Sequence, residues 1–202
     1  MVTLFSAESQ ERILVANIVN EITDNLININ WVSASDLSAY PDLSANIKSW
    51  LTEASLLTMR LKNCAQHFEL RVLSEGYRKT PSLLKDLEIS DRVFIREVML
   101  LSDGVPMILG QTSIPEKTLR RHHWLSKLGT GALGEKIMAF SNVQRSDFIF
   151  SFCTGSSPIL KKHGIDCKTT EGEGLWMRRS SFVIQNQPLW VAEIFLPKIK
   201  EL

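Results

Sequence analysis

The strongest constraint on this chain is the Asp103-Gly104 pair set between two long apolar runs, RVFIREVMLL and VPMILGQTSI. Asp-Gly suits a two-residue turn in which both central residues take positive φ, so this pattern predicts a hairpin of antiparallel neighbours. A second hairpin is predicted near the C-terminal end, where GLWMRRSSFVI and PLWVAEIFLP flank Gln185-Asn186-Gln187. Its strands are apolar enough on both faces to lie in the middle of a sheet. Alternation of Phe68, Leu70 and Val72 with Glu69 and Arg71 predicts a further strand that turns at Glu75-Gly76, and DFIFSF predicts another.

Helical periodicity is confined mainly to the first third. Ile13, Leu14, Ile18, Ile22 and Leu26 predict a helix between Ser6 and about Leu26. SANIKSWLTEA predicts a second, capped by Ser44, and a third runs from Leu57 to about Gln66. The stretch PEKTLRRHHWLSKLGTGALGEKIMAF reads as helical or irregular, and CTGSSPILKKHGIDCKTTEGE as a polar surface insertion over 153–173. Helices first and hairpins later imply an α+β fold, an antiparallel β-sheet of hairpins with N-terminal helices packed on it, in one domain spanning 1–202. No GxGxxG follows a strand and no P-loop pattern occurs, which disfavours a parallel nucleotide-binding sheet.

With 44% hydrophobic and 22% charged residues the chain is of ordinary globular composition. Its 23 Lys and Arg against 22 Asp and Glu provide no global field for nucleic acid or an anionic membrane. The first residues lack a basic n-region and a cleavage site, no apolar run is long enough to span a bilayer, and three cysteines without a CxxC pair argue against a disulfide framework. A soluble cytoplasmic protein is expected.

Packing alone explains poorly why an arginine, Arg96, and a glutamate, Glu193, stand inside strongly apolar strands, because a buried charge without a partner is costly. They could pair with each other or with backbone, or lie at a sheet edge; taken together they read as a site. A two-residue loop within Gln185–Pro188 would put Glu193 across from Ser180, with Arg178 one step further on the same face and Arg179 on the other. Arg178 is then either a second cation of the site or a solvent-facing arginine. The glycines at 129, 131 and 134 could aim N–H groups at an anion or form a plain turn. His67, His122, His123 and His163 lack metal-ligand spacing, and Cys153, His163 and Cys167 lack a fourth partner.

Four segments, VFIREVMLLSDGVPMILGQTSIP, KLGTGALGEKIMAF, GLWMRRS and QPLWVAEIFLP, with the weaker SLLTMRL and SEGY, give the chain a resemblance to the chorismate lyases of the ubiquinone pathway from about Ser44 to Pro197. The resemblance implies a cofactor-free, metal-free enzyme, a monomer by the family's habit, whose partner is the small molecule chorismate. It implies that Arg96 binds the ring carboxylate with backbone N–H groups of Leu57 and Leu133, and that Glu193 meets the hydroxyl end. Arg178 is the candidate for the departing enolpyruvate. Three departures stand out: residues 1–43 diverge, the 153–173 insertion is long, and Gln111 replaces an arginine, which could change how the second carboxylate is held.

For chorismate, loss of the C4 hydrogen with the C3 enolpyruvyl ether makes the ring aromatic and gives 4-hydroxybenzoate and pyruvate, with either Glu193 or the enolpyruvyl group taking the hydrogen, so the protein's task is positioning and electrostatic stabilisation. An arginine offers a carboxylate a planar fork of donors and remains protonated. Two other readings stay open. One is a sensing domain related to the effector domains of transcription regulators, although no helix-turn-helix pattern precedes it here; the other is a lyase acting on a chorismate isomer.

Overall fold

The computed structural model describes residues 30–81, 84, 86–153 and 174–202. The helix expected before Leu26 and the insertion beyond Cys153 lie outside them. Among the described residues seven strands form one antiparallel sheet: β1 (Phe68–Lys79), β2 (Arg92–Ser102), β3 (Val105–Pro115), β4 (Val143–Arg145), β5 (Ile149–Cys153), β6 (Leu175–Ile184) and β7 (Gln187–Phe195). The order is β1-β2-β3-β7-β6-β4, with β5 also paired to β6. Both predicted hairpins are present and their strands are central, in an α+β fold. No helix among these residues is long and apolar enough to cross a membrane.

Turn chemistry sets the registers. Asp103 and Gly104 take φ of 52° and 80°, and the Asp103 carboxylate accepts N–H groups from His67 at 2.7 Å and Gln66 at 3.3 Å, tying the start of β1 to this turn. The second hairpin differs from expectation. Its loop is Gln185-Asn186, with φ of 48° and 62°, so Ile184 pairs with Gln187 and Glu193 faces Arg178 rather than Ser180. The reason is proline: a loop one residue later would put Pro188 where an N–H must close the turn, and proline has none. The partner moves by two residues, so the face is unchanged.

β1 does not turn at Glu75-Gly76. It continues to Lys79, paired throughout with β2, and a bulge at Leu73 absorbs the irregularity between Val72↔Val98 and Ser74↔Glu97. That bulge brings Glu75 opposite Arg96.

Two helices, α1 (Ala45–Leu51) and α2 (Leu57–Cys64), precede the sheet; α3 (Glu116–Arg121) and α4 (Leu133–Ile137) are inserted between β3 and β4, beyond the N-terminal helices expected. The Ser44 hydroxyl accepts the Ile47 N–H at 3.2 Å, a cap worth about 1 kcal/mol. Trp50, Leu51, Leu57 and Leu61 pack on Leu100, Ile108 and Phe195 at one end of a sheet face. At the other end Leu119, Leu125 and Ile137 pack on Phe94, Ile114, Phe182 and Leu189. Each such side chain, fully buried, contributes about 1.5–3 kcal/mol. The opposite face carries its own apolar set, including Met99, Leu109, Met177 and Ile194.

Candidate active site

Between the two apolar ends the covered sheet face turns polar. Arg96 pairs with Thr112, which pairs with Val191 and then Ser180; one row along, Val98, Gly110, Glu193 and Arg178 are successive partners. Side chains two apart on a strand share a face, so both rows open into the same space. Arg96, Glu193, Arg178, Leu57 and Leu133 all line this one cavity, as does Arg145 of β4.

Arg96 is 2% exposed. Its Nη2 donates to the Gly129 and Gly131 carbonyls at 2.6 and 3.1 Å, and its Nε lies 3.1 Å from Glu75 Oε1 without the geometry of a hydrogen bond. Burial holds the guanidinium below its ordinary pKa, and Glu75 opposes the shift. Among the described residues Nη1 has no acceptor, so it is the donor left for a ligand. The glycine run therefore works differently from a simple amide nest: two of its carbonyls orient the arginine, and the Gly131 N–H donates to Leu128.

Arg178 is 1% exposed and not solvent-facing. Its Nε donates to Glu193 Oε2 at 2.5 Å, and its Nη1 donates to the Leu51 and Glu53 carbonyls at 2.9 and 2.7 Å. Glu193 is thereby held on one oxygen, and Oε1 has no protein donor among the described residues. Arg179, on the opposite face, forms a two-point ion pair with Asp86. That guanidinium holds the Asp86 carboxyl below its ordinary pKa.

Leu57 and Leu133 are the first residues of α2 and α4, and neither helix has a side-chain cap. The first amides of a helix have no intrahelical acceptor, so these two N–H groups remain available at the cavity wall. The two helix starts also meet: a Cβ added at Gly134 would lie 2.7 Å from Leu56 Cδ2, and Lys62 bonds Glu135 at 2.7 Å between the helices. Because Leu56 itself lines the cavity, Gly134→Ala is expected to push it inward and weaken binding of a small ligand by about threefold to tenfold with the fold retained, a modest overpacking cost. Titration of the folded variant with a small aromatic carboxylate, benzoate, checks this; unchanged affinity would show that Leu56 swings away.

Sequence reasoning missed two charged residues here. Glu75 sits in the SEGY segment, but its opposition to Arg96 depends on the bulge. Arg145 belongs to a three-residue strand with no alternating signal. Gln111, where an altered hold on a second carboxylate was expected, lies on the far side of the sheet. There its amide donates to Glu97 Oε1 at 2.9 Å, in a buried cluster with Ser74 and Arg78.

Fold and cavity together define an α+β domain with a cavity on one face of an antiparallel sheet, its walls carrying three arginines and one carboxylate. The family model described as chorismate lyase matches residues 25–201. A chorismate pyruvate-lyase of Hamiltonella defensa is 31% identical over 173 residues, covering 84% of this chain and 86% of that protein. One of Pectobacterium atrosepticum is 30% identical over 161 residues, 77% of this chain and 80% of that protein. Among solved structures, PhnF from Mycobacterium smegmatis superposes with a TM-score of 0.51 at 11% identity, over 72% of this chain and 65% of that one. Its effector domain gives 0.50 at 12%, over 71% and 89%. At such identity the likeness describes the fold. The chain belongs to the chorismate lyase family.

Proposed function

We propose that the protein splits chorismate into 4-hydroxybenzoate and pyruvate. The observation that carries this reading is the placement of Arg96 and Glu193 at separate positions of one cavity, each with donor or acceptor capacity left for a ligand. By strand spacing and rise their Cα atoms are about 12 Å apart, which leaves room between the side chains for one six-membered ring. Arg96 Nη1 and the Leu57 and Leu133 amides take the ring carboxylate. Glu193 Oε1 accepts the C4 hydroxyl and orients the ring.

In the reaction the C3–O bond of the ether breaks, its electron pair leaves on the enolpyruvate oxygen, and the C4–H electrons enter the ring. The C4 hydrogen leaves as a proton and passes, directly or by way of Glu193, to the departing enolpyruvate, which becomes pyruvate. Aromatisation drives the step, so positioned charge suffices and no redox cofactor or metal is called for. Arg178, already bonded to Glu193, holds that carboxylate aimed into the cavity.

Incubating the pure protein with chorismate, without added metal or nucleotide, should yield equimolar 4-hydroxybenzoate and pyruvate. A different aromatic product would indicate a lyase for an isomer, and tight 4-hydroxybenzoate binding with no turnover would indicate a sensor.

The 153–173 insertion carries none of the chemistry in this reading. The strands that flank it pair with each other, Cys153 opposite Leu175, so a short turn can join them. Replacing residues 154–173 by a short Gly/Ser turn should keep activity within about tenfold, since loop length alters closure entropy only slowly. Loss of activity on this replacement, or on chelation, with the fold intact would make the segment part of the site.

A further inference from the structure

The three arginines of the cavity are neutralised unequally. Arg96 has Glu75, and Arg178 has Glu193. Arg145 has only neutral oxygens: its Nε faces Ser180 Oγ at 3.4 Å and its Nη1 donates to the Ala54 carbonyl at 3.1 Å. Among the described residues no carboxylate lies within ion-pair distance of it, and Nη2 has no acceptor. Its guanidinium stacks on Phe148, 4.0 Å from the ring centroid, and Arg178 lies at the same 4.0 Å from that ring. A half-buried cation beside a second cation is stabilised by an anion. Burial and then Arg178 push its pKa down, while Glu193 pushes it up.

Position indicates which anion. Ser180 ends the sheet row that begins at Arg96, so Arg145 stands across the cavity from Arg96, on the side of Glu193 and Arg178. In chorismate the ether carbon adjoins the hydroxyl carbon, so the enolpyruvyl carboxylate hangs beside whatever holds the hydroxyl.

We propose that Arg145 is the specificity-determining residue that takes the second, enolpyruvyl carboxylate of the substrate. This rests on the lyase reading above. It also supplies the second-carboxylate donor that Gln111, facing away, does not.

The test compares two ligands on the full chain: 4-hydroxybenzoate, and 3-(carboxymethoxy)-4-hydroxybenzoate, an unreactive aromatic with a second carboxylate on the ether arm. Arg145→Met should weaken the dicarboxylate and raise the KM for chorismate about tenfold to a hundredfold, with 4-hydroxybenzoate affinity within about threefold. Arg145→Lys should recover much of the loss. Equal weakening of both ligands would make Arg145 a support of the fold, and no change in either would remove it from the site; each overturns the proposal. Should Arg145→Met not fold, Arg145→Gln keeps a donor for Ala54 while removing the charge and gives the same discrimination. A wild type that turns over chorismate, beside a folded Arg145→Met with the same KM and dicarboxylate affinity, overturns the role of Arg145 alone. A wild type with no turnover overturns the lyase reading beneath it.

Discussion

Arg96→Ala is expected to abolish measurable chorismate turnover and to weaken 4-hydroxybenzoate binding by about 2–5 kcal/mol, the usual consequence of removing one partner of a desolvated charge pair. That corresponds to a factor between about 30 and several thousand. The loss has two sources. The ligand carboxylate forfeits Nη1, and the Gly129 and Gly131 carbonyls lose the donor that positions the loop ahead of Leu133. The amide of Leu133 is therefore displaced along with the guanidinium. Arg96→Lys should rescue little, because an ammonium cannot serve two loop carbonyls, Glu75 and a ligand with the geometry of a planar fork. Calorimetric titration with 4-hydroxybenzoate, beside a circular dichroism spectrum showing an intact fold, decides it. Near-normal affinity in a folded Arg96→Ala would refute the assignment of the carboxylate end.

Glu193→Gln is expected to lower kcat by about a hundredfold or more, in the range found for a charged group that acts on the reacting atoms. Affinity for 4-hydroxybenzoate should stay within about tenfold, since an amide still hydrogen-bonds a phenol. The fold should survive because Arg178 keeps the Leu51 and Glu53 carbonyls when its carboxylate is neutralised. Steady-state kinetics and product titration on the same preparation separate the two effects. Wild-type kcat in the folded variant would exclude a charge-dependent role for Glu193.

Arg96 and Glu193 both stand out in the amino-acid sequence because each breaks a strand pattern that is otherwise apolar. Arg178 illustrates the limit of that logic. Its place on the Glu193 face follows from strand period, but its burial does not: the α1 end and the loop after it supply the carbonyls that surround it, and they are more than a hundred residues away in sequence. Arg145 lies further beyond reach. A three-residue strand carries no period, and the residue looks like any surface arginine until Phe148, Ser180 and Ala54 close around it.

The sequence by itself determined the elements whose causes are local. Asp-Gly between apolar runs made the first hairpin, two-sided hydrophobicity made the β6 and β7 strands central, and Ser44 marked the start of α1. Its segment order also carried the family resemblance. Only the tertiary structure decided what depends on partners. The register of the second hairpin put Arg178 directly opposite Glu193; the Leu73 bulge brought Glu75 opposite Arg96; and an irregularity between Leu100 and Leu101 set Gln111 opposite Glu97 on the far face, away from Arg96. The physical reason is that a charge's neighbours are set by register and by elements packed across the face. A side chain's own neighbourhood in the sequence specifies its strand and its parity, but not which opposite charge will stand within hydrogen-bonding distance.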